Sequence, residues 1–220
     1  MELILVMHIL LCAATLFELQ PTLDYLSEKK KAIEALITGV GLTAATYQLT
    51  KRVTSQKPSL IIQAGVAGSL DHSLNLSEVV VVESEIIGDL GVFENNSFND
   101  LFHLNLCESN SMPFTNGKLL NQYLEQFSIN HLKKVQGVSV NEITTNEQRI
   151  SYYRKLGAQV ESLEGASLHY VGLMEGIPFL QLRSTSNFVG ERNKNKWTLK
   201  EAIHNLNREL ITIIEKTEEI

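Results

Sequence analysis

The feature of this sequence that most constrains its fold is a regular alternation of short apolar runs with longer segments of helical periodicity. Strands are predicted at 8–14, 35–39, 59–64, 78–86, 132–140, 158–162 and 178–186. Helices are predicted at 21–31, 42–55, 116–127, 146–156, 164–174 and 198–216, and 88–114 is predicted to be a long loop of the kind that often forms a lid. This alternation over 220 residues predicts one α/β domain covering 1–220, with a central twisted mixed β-sheet flanked by helices.

The charge and the cysteine content narrow the range of partners and cofactors. The formal net charge is −6 and the charged residues are scattered, so the sequence has no basic stripe that would neutralise the phosphates of a nucleic acid. Cys12 and Cys107 belong to no CxxC or Cys/His spacing, which argues against a disulfide framework and against a zinc site. We therefore predict a cytoplasmic protein that uses no metal or cofactor and binds no nucleic acid.

The apolar N-terminal run at 3–17 has to be distinguished from a targeting signal. No Lys or Arg precedes it, it is shorter than the ~20 residues that span a bilayer, and Glu18 follows without a small-residue cleavage site. We predict a buried first strand and no membrane partner. Met7 is itself a plausible start, which makes residues 1–6 a candidate upstream extension.

Two glycine-rich segments follow predicted strands. Gly-Val-Gly-Leu-Thr-Ala at 39–44 matches the pattern of a dinucleotide-binding turn, but the next strand ends without the acid that would hold a ribose. Glycines that let a tight turn pack a helix on the sheet are the simpler interpretation. Gly-Val-Ala-Gly-Ser at 65–69 is predicted to be a turn that exposes backbone N–H groups to an oxygen-rich ligand, with an ordinary structural turn as the alternative.

Polar side chains end the last two predicted strands. Glu161 and Glu164 lie three residues apart at a strand–helix junction, where both can face one site and the helix dipole favours an ionised carboxylate. An ionised carboxylate accepts two hydroxyl hydrogen bonds, which suits Glu164 for binding a ribose. Asn187 offers an amide at the end of the strand at 178–186. The alternatives are a pair of helix-start acids and a turn-forming asparagine.

Five segments, taken in order, resemble the nucleoside phosphorylase and hydrolase superfamily. They are 13–18, 38–45, 57–70, 160–166 and 178–187. Ala-Ala-Thr-Leu-Phe-Glu at 13–18, Glu-Ser-Leu-Glu-Gly-Ala at 161–166 and Ser-Asn-Phe-Val at 186–189 are particularly similar to the futalosine hydrolase branch. The resemblance implies an N-glycosidase that cleaves futalosine with water, releasing hypoxanthine and dehypoxanthine futalosine in menaquinone biosynthesis.

The resemblance also implies roles for single residues. Glu18 matches the residue that activates the attacking water, and Asn187 matches the residue that contacts the leaving base. Leu163 and Glu164 match the pair that contacts the ribose. The remaining matches are Val140, Asn141 and Ser186 beside the purine, Ala67 and Gly68 as backbone contacts near the nucleophile, and Arg192 as our candidate for the benzoate of the substrate, with a solvated loop charge as its alternative.

Two departures from the family pattern bear on the substrate. The methylthioadenosine nucleosidases carry Asp where Asn187 stands, and Asn cannot donate a net proton. Its NH₂ group can instead donate to N7 and O6 of a 6-oxopurine, which favours hypoxanthine over adenine as the leaving base. Those enzymes also carry Ser at the position of Val66, so the chain lacks a hydroxyl there that would position water.

Water rather than phosphate is the predicted nucleophile, because the Gly-Asp-Pro-type phosphate loop of the phosphorylases does not follow the first strand. The alternatives are a methylthioadenosine/S-adenosylhomocysteine or aminodeoxyfutalosine nucleosidase, another purine nucleoside phosphorylase, and a non-catalytic nucleoside-binding protein. Members of the superfamily usually assemble, so the resemblance further implies a homodimer or a larger homo-oligomer.

Overall fold

The structure is a computed structural model that describes residues 8–31, 33–95 and 97–218. The candidate extension at 1–6 lies outside these residues. The strands are β1 (Ile9–Ala13), β2 (Glu34–Ile37), β3 (Leu60–Ser69), β4 (Val79–Ile87), β5 (Gly91–Glu94), β6 (Ser97–Asp100), β7 (Leu119–Leu120), β8 (Lys133–Ser139), β9 (Val160–Ser162) and β10 (Phe179–Phe188). The helices are α1 (Leu16–Glu28), α2 (Leu42–Ser55), α3 (Glu147–Lys155), α4 (Gly165–Glu175) and α5 (Leu199–Glu218).

Strand β3 organises the mixed sheet, because three other strands pair with it. Along its first half it pairs in parallel with β1, which in turn pairs with β2. Along its other edge it pairs in parallel with β10, and beyond the end of β1 it pairs antiparallel with β9. Since β10 also pairs with β4, β4 with β8, and β8 with β9, the strands β3, β10, β4, β8 and β9 close into a small barrel.

Helices cover both faces of the flat part of the sheet. Successive strand residues point to opposite faces, so Leu11 of β1 packs in the apolar cluster that includes Leu206 of α5, whereas Leu10 packs in the cluster that includes Leu49 of α2. The first cluster also holds residues of α1 and the second holds residues of α4. The predicted α/β domain with a mixed sheet flanked by helices is confirmed.

The predicted helices at 42–55, 146–156, 164–174 and 198–216 correspond to α2 to α5. The helix predicted at 21–31 begins earlier, at Leu16, because Thr15 and Glu18 form a capping box. Because proline is favoured in the first turn of a helix, Pro21 suggests from the sequence that the helix begins near this residue. In the structure Pro21 lies further inside α1. None of the helices in the described residues is both long and apolar enough to cross a membrane.

Three other predictions about secondary structure are wrong. The helix predicted at 116–127 is reduced to a 3-10 turn at Leu124–Gln126, because Asn116 and Gly117 both have positive φ and form a turn, after which β7 pairs with β4. The loop predicted at 88–114 contains the antiparallel hairpin of β5 and β6. Residues 65–69, predicted to be a turn, continue β3 instead, because each of these five residues pairs with β10.

Candidate functional site

A cavity of about 320 Å³ opens where the ends of β3, β9 and β10 meet the start of α1. Ten residues were predicted from the sequence to form a site, and eight of them line this cavity. They are Glu18, Ala67, Gly68, Leu163, Glu164, Ser186, Asn187 and Arg192. These residues come from four separate parts of the chain, so the fold brings together a site that no single segment contains.

Glu18 is held rigidly at the bottom of the first turn of α1. Its Oε1 accepts a hydrogen bond from the Val66 N–H at 3.0 Å. Its Oε2 accepts two from Thr15, one from the N–H at 3.1 Å and one from Oγ1 at 2.9 Å. A carboxylate has about four lone-pair sites, so a lone pair of Oε1 stays available. Glu18 is only 8% exposed, so this lone pair belongs to an oriented and largely dehydrated base.

Glu164 precedes the first residue of α4 and also faces the cavity. Its Oε1 accepts a hydrogen bond at 2.9 Å from the N–H of Gly41, a residue with positive φ. Burial raises the pKa of Glu164, and the Arg183 guanidinium and the Gly41 N–H oppose that rise. Burial is the largest influence on this carboxyl group, and the net shift of its pKa is upward. The second carboxylate oxygen remains able to accept a hydroxyl hydrogen bond.

The amide of Asn187 has a fixed orientation. Its Nδ2 donates to the Phe188 carbonyl at 2.9 Å, and a carbonyl oxygen can only accept, so the nitrogen must be on that side. The Ser186 hydroxyl then donates to Oδ1 at 2.9 Å. The second N–H of Nδ2 is the part of the amide that is left for a ligand. Asn187 thus presents a hydrogen-bond donor, and a ligand needs an acceptor there.

Arg192 and Trp197 line the cavity on the loop that follows β10. The Arg192 guanidinium carbon lies 5.6 Å from the centre of the Trp197 ring, within the range of a cation–π interaction. The indole N–H of Trp197 donates to the Glu191 carbonyl at 3.0 Å, which fixes the ring. An exposed cation beside a fixed aromatic face suits a ligand that carries an aromatic carboxylate.

Val140 and Asn141 lie outside the walls of the cavity. Val140 is fully buried in an apolar cluster with Tyr153, and Asn141 binds the Asp89 carboxylate through its backbone N–H at 2.6 Å. The segment beyond β8 does reach the cavity, but through Ile143 and Thr144. The resemblance therefore identifies the right segment, but the residues that line the cavity come two or three positions later in the chain than predicted.

The family comparison covers most of the chain. The sequence model of the phosphorylase superfamily matches residues 25–215. The chain belongs to the phosphorylase superfamily. The resemblance seen in the sequence is therefore confirmed at the level of the family.

Two relatives within the superfamily are named as futalosine hydrolases. The protein from Thermus thermophilus is 30% identical over 177 residues, which are 79% of this chain and 77% of the relative. The protein from Acidothermus cellulolyticus is 25% identical over 177 residues, with 79% of this chain and 71% of the relative covered. The sequence-based similarity to this branch is confirmed by both.

Solved structures of superfamily members share the fold. A 5'-methylthioadenosine/S-adenosylhomocysteine nucleosidase from Helicobacter pylori has a TM-score of 0.78 and 18% identity, with 96% of this chain and 99% of that one covered. A futalosine hydrolase from Helicobacter pylori has a TM-score of 0.78 and 17% identity, with coverage of 96% and 98%. At these identities the likeness concerns the fold.

One feature beside this site escapes sequence reasoning. Arg183, only 1% exposed, donates to Gln63 Oε1 at 2.8 Å, and a Cβ on Gly65 would lie 2.1 Å from its Nη1 and 3.0 Å from Glu18 Oε1. The guanidinium and the Glu18 carboxylate are therefore neighbours over a glycine. Glu161 also lines the cavity, as its spacing from Glu164 predicted. The burial of Arg183 cannot be predicted from the sequence, because how deeply an arginine within a strand is buried depends on which strands pair beside it.

Proposed function

We propose that this protein hydrolyses the N-glycosidic bond of futalosine and releases hypoxanthine and dehypoxanthine futalosine. The observation that carries the proposal is one cavity that holds an oriented carboxylate at Glu18, a hydroxyl acceptor at Glu164 and a fixed amide donor at Asn187. These are the groups that water activation, ribose binding and base recognition require. The names of the two relatives support the same substrate.

In the proposed reaction the base lies toward Asn187 and the ribose toward Glu164. Glu18 accepts a proton from water while the water oxygen attacks C1′. The bond between C1′ and N9 breaks, and its electron pair moves into the purine. The N–H of Asn187 donates to the purine edge as negative charge grows there, and hypoxanthine then regains a proton from solvent. Glu18 releases the proton that it took, so charge balances over the cycle.

The charges around the cavity favour a transition state with a positive ribosyl ring. Four acidic side chains, those of Glu18, Glu161, Glu164 and Glu191, line the cavity, and such groups stabilise oxocarbenium character. Among the described residues that line it, Arg192 is the only one with a cationic side chain. A bound phosphate nucleophile would need a cationic cradle, so the charges support hydrolysis over phosphorolysis.

The substrate's benzoate is assigned to the pair of Arg192 and Trp197, because a guanidinium binds carboxylates and the indole face can stack on the ring. We further propose a homodimer or larger homo-oligomer in the cytoplasm, acting in menaquinone biosynthesis. Phe17 and Val40 are each 59% exposed beside the cavity. Such exposed apolar side chains support an interface with a second copy of the chain. Light scattering coupled to size exclusion measures the oligomeric state.

The test is release of free base from four nucleosides, with and without phosphate. Futalosine, aminodeoxyfutalosine, inosine and methylthioadenosine are incubated with the protein, and the bases are separated by chromatography. We expect hypoxanthine from futalosine at the same rate in both buffers. Adenine from methylthioadenosine would indicate the other nucleosidase activity, a phosphate requirement would indicate a phosphorylase, and no base from any substrate would leave a binding protein.

A further inference from the structure

Glu85 is a buried carboxyl group that the proposed reaction does not use. It lies on β4 and is only 1% exposed. Gln181 Nε2 lies 2.9 Å from its Oε1, and Ser139 Oγ lies 3.0 Å from its Oε2. Burying a charged carboxylate is costly, so the hydrogen-bonding neighbours decide whether this group carries a charge or a proton.

Glu85 packs directly beneath the first turn of α4. A Cβ on Gly165, the first residue of this helix, would collide with Glu85 Oε1, so only glycine allows the carboxyl group to lie there. The Ala166 N–H donates to Ser139 Oγ at 2.8 Å, and the Ser139 hydroxyl donates to Glu85. Glu164, the residue assigned to the ribose, immediately precedes Gly165. Glu85 therefore supports the start of the helix from which Glu164 projects.

Gln181 links Glu85 to His169 under the same helix. A Cβ on Gly165 would also collide with Gln181 Nε2. His169 follows Gly165 by four residues and so lies on the same face of α4, where Gln181 is close enough to affect the pKa of its ring. Gln181 Oε1 and His169 Nε2 are both buried, and neither has a hydrogen-bond partner among the described residues.

His169 needs a donor at this unpaired nitrogen. Its Nδ1 lies 2.9 Å from the Leu119 carbonyl, which can only accept, so Nδ1 carries the hydrogen. Burial lowers the pKa of His169 to about 4, so the ring is neutral above that pH and Nε2 is an acceptor. Gln181 Oε1 is an acceptor too, so the two atoms cannot satisfy each other. Rotating the amide by half a turn exchanges its oxygen and nitrogen and gives His169 a donor.

The rotated amide requires a hydrogen on Glu85. The amide oxygen then faces Glu85 Oε1, and two acceptors at this distance need a proton between them. A neutral Glu85 supplies it, and the hydrogen bonds then run in one direction from Glu85 through Gln181 to His169 and Leu119. Ser139 still donates to Glu85 Oε2. The observed orientation of Gln181 suits an ionised Glu85, but all of these buried groups are paired only when Glu85 is protonated.

This pairing gives Glu85 a role behind the site. We infer that Glu85 is a positioning residue that carries a proton in the active protein, fixes the first turn of α4 and leaves Glu164 to bind the ribose as an ionised carboxylate. The inference rests on the proposed function, because that function makes Glu164 the acceptor for the ribose. Glu85 acts through the helix start, since it is buried beneath it.

The charged groups around Glu85 explain why its proton matters. Burial raises its pKa to about 7, the two hydrogen bonds and Arg183 oppose the rise, and Glu164 adds to it. The Arg183 guanidinium also lowers the pKa of Glu164 and lies beside Glu18. When Glu85 loses its proton, a second carboxylate repels Glu164 and competes for Arg183. His169, the titratable group of α4 on this face, stays neutral above about pH 4. Ribose binding should therefore weaken as the pH rises through 7.

The first test locates the proton without an enzymatic assay. Glutamate labelled with carbon-13 at the carboxyl group gives NMR signals that move when the group loses its proton. We expect the wild type to show a signal that titrates near pH 7 and is missing from Glu85→Gln. Glu83→Gln, which changes an exposed residue of the same strand, should retain this signal. The inference is overturned if the signal lost in Glu85→Gln belongs to a carboxylate that is already ionised at about pH 5.5.

The second test is the pH dependence of KM. Glutamine mimics the protonated acid, because its carbonyl accepts from Ser139 and its NH₂ donates toward Gln181. We expect the KM of the wild type for futalosine to rise about 10-fold between about pH 6 and pH 8.5, the effect of a shift of one pKa unit at Glu164. This rise should be absent from Glu85→Gln and present in Glu83→Gln. The same rise in all three proteins would show that Glu85 is only structural.

The outcomes separate this inference from the proposed function. If the wild type cleaves futalosine but its KM follows the same pH curve as that of Glu85→Gln, the positioning role fails alone. If the wild type cleaves no futalosine yet the NMR titration finds a proton on Glu85 below pH 7, the proposed function fails and the protonated state of Glu85 stands.

Discussion

Replacing Glu85 by glutamine should change how folding stability depends on pH. Glu85 lies on β4, is 1% exposed, and accepts hydrogen bonds from Gln181 Nε2 at 2.9 Å and Ser139 Oγ at 3.0 Å. Burial raises its pKa from the ordinary value of 4.5 to about 7, although the two hydrogen bonds and Arg183 oppose the rise. The folded chain therefore keeps a proton that the unfolded chain releases.

The sign and size follow from this difference. Between pH 4.5 and 7 the folded state binds more protons than the unfolded state, so stability falls as the pH rises. The slope is about 1.4 kcal/mol per pH unit, and over this window Glu85 costs the wild type about 3 kcal/mol. Glutamine does not titrate, so the variant is spared this loss.

The measurement is urea unfolding of both proteins at fixed pH values from 4.5 to 8. His169, whose pKa burial lowers to about 4, titrates in the same way in both proteins and drops out of the difference. We expect the free energy of unfolding of Glu85→Gln minus that of the wild type to rise by about 3 kcal/mol across the range. Imperfect hydrogen bonds of the new amide add an offset that is the same at every pH.

The control is Glu83→Gln, which removes a carboxyl group from an exposed position of the same strand. Its difference from the wild type should stay flat. A flat difference for Glu85→Gln as well would refute the argument, because it would mean that Glu85 is ionised in the folded protein throughout this range.

Three further predictions concern catalysis, each measured as release of hypoxanthine. Glu18→Gln keeps an acceptor near the Val66 N–H but removes the base, so kcat should fall by about 100-fold or more with little change in KM; an unchanged kcat would exclude Glu18 as the base. Asn187→Asp places a charge where N7 and O6 need a donor, so futalosine cleavage should fall by about 10-fold or more, and undiminished release would contradict the 6-oxopurine argument. Arg192→Ala should raise the KM for futalosine by about 10-fold and leave that for inosine unchanged, since inosine has no benzoate; equal effects on both substrates would remove Arg192 from benzoate binding.

The sequence predicts those parts of the fold that depend on local pattern. Helix α2 is predicted with its observed ends, because Gly41 precedes it and an apolar stripe at Ala45, Leu49 and Val53 faces the core. Residues 65–69 were predicted incorrectly, since small residues suggest a turn when viewed alone. Pairing with β10, and for the last two residues also with β9, makes them a strand, and both partners lie far along the chain.

The candidate site likewise has residues that the sequence predicts and contacts that depend on the fold. Glu18, Glu164 and Asn187 lie at element ends that can be located from the sequence, and the structure places all three in one cavity. The base-side contacts are harder to predict, because a shift of a few residues beyond β8 exchanges the buried Val140 for the exposed Ile143. The role of burial at Glu164 also lies outside the sequence, since it arises from the surrounding fold.

Closure of the barrel has a consequence for how the protein is synthesised. Strand β10 completes the ring by joining β3 to β4, and it begins at Phe179 of a chain of 220 residues. A ribosome that has made everything through β9 still holds a chain that lacks the pairing of Asn187 with Gly68, the residue that also pairs with Glu161. Contacts so distant along the chain form late and slowly. The cavity that Asn187 lines is therefore among the last features to appear, and no amino-terminal fragment that stops short of β10 can carry it.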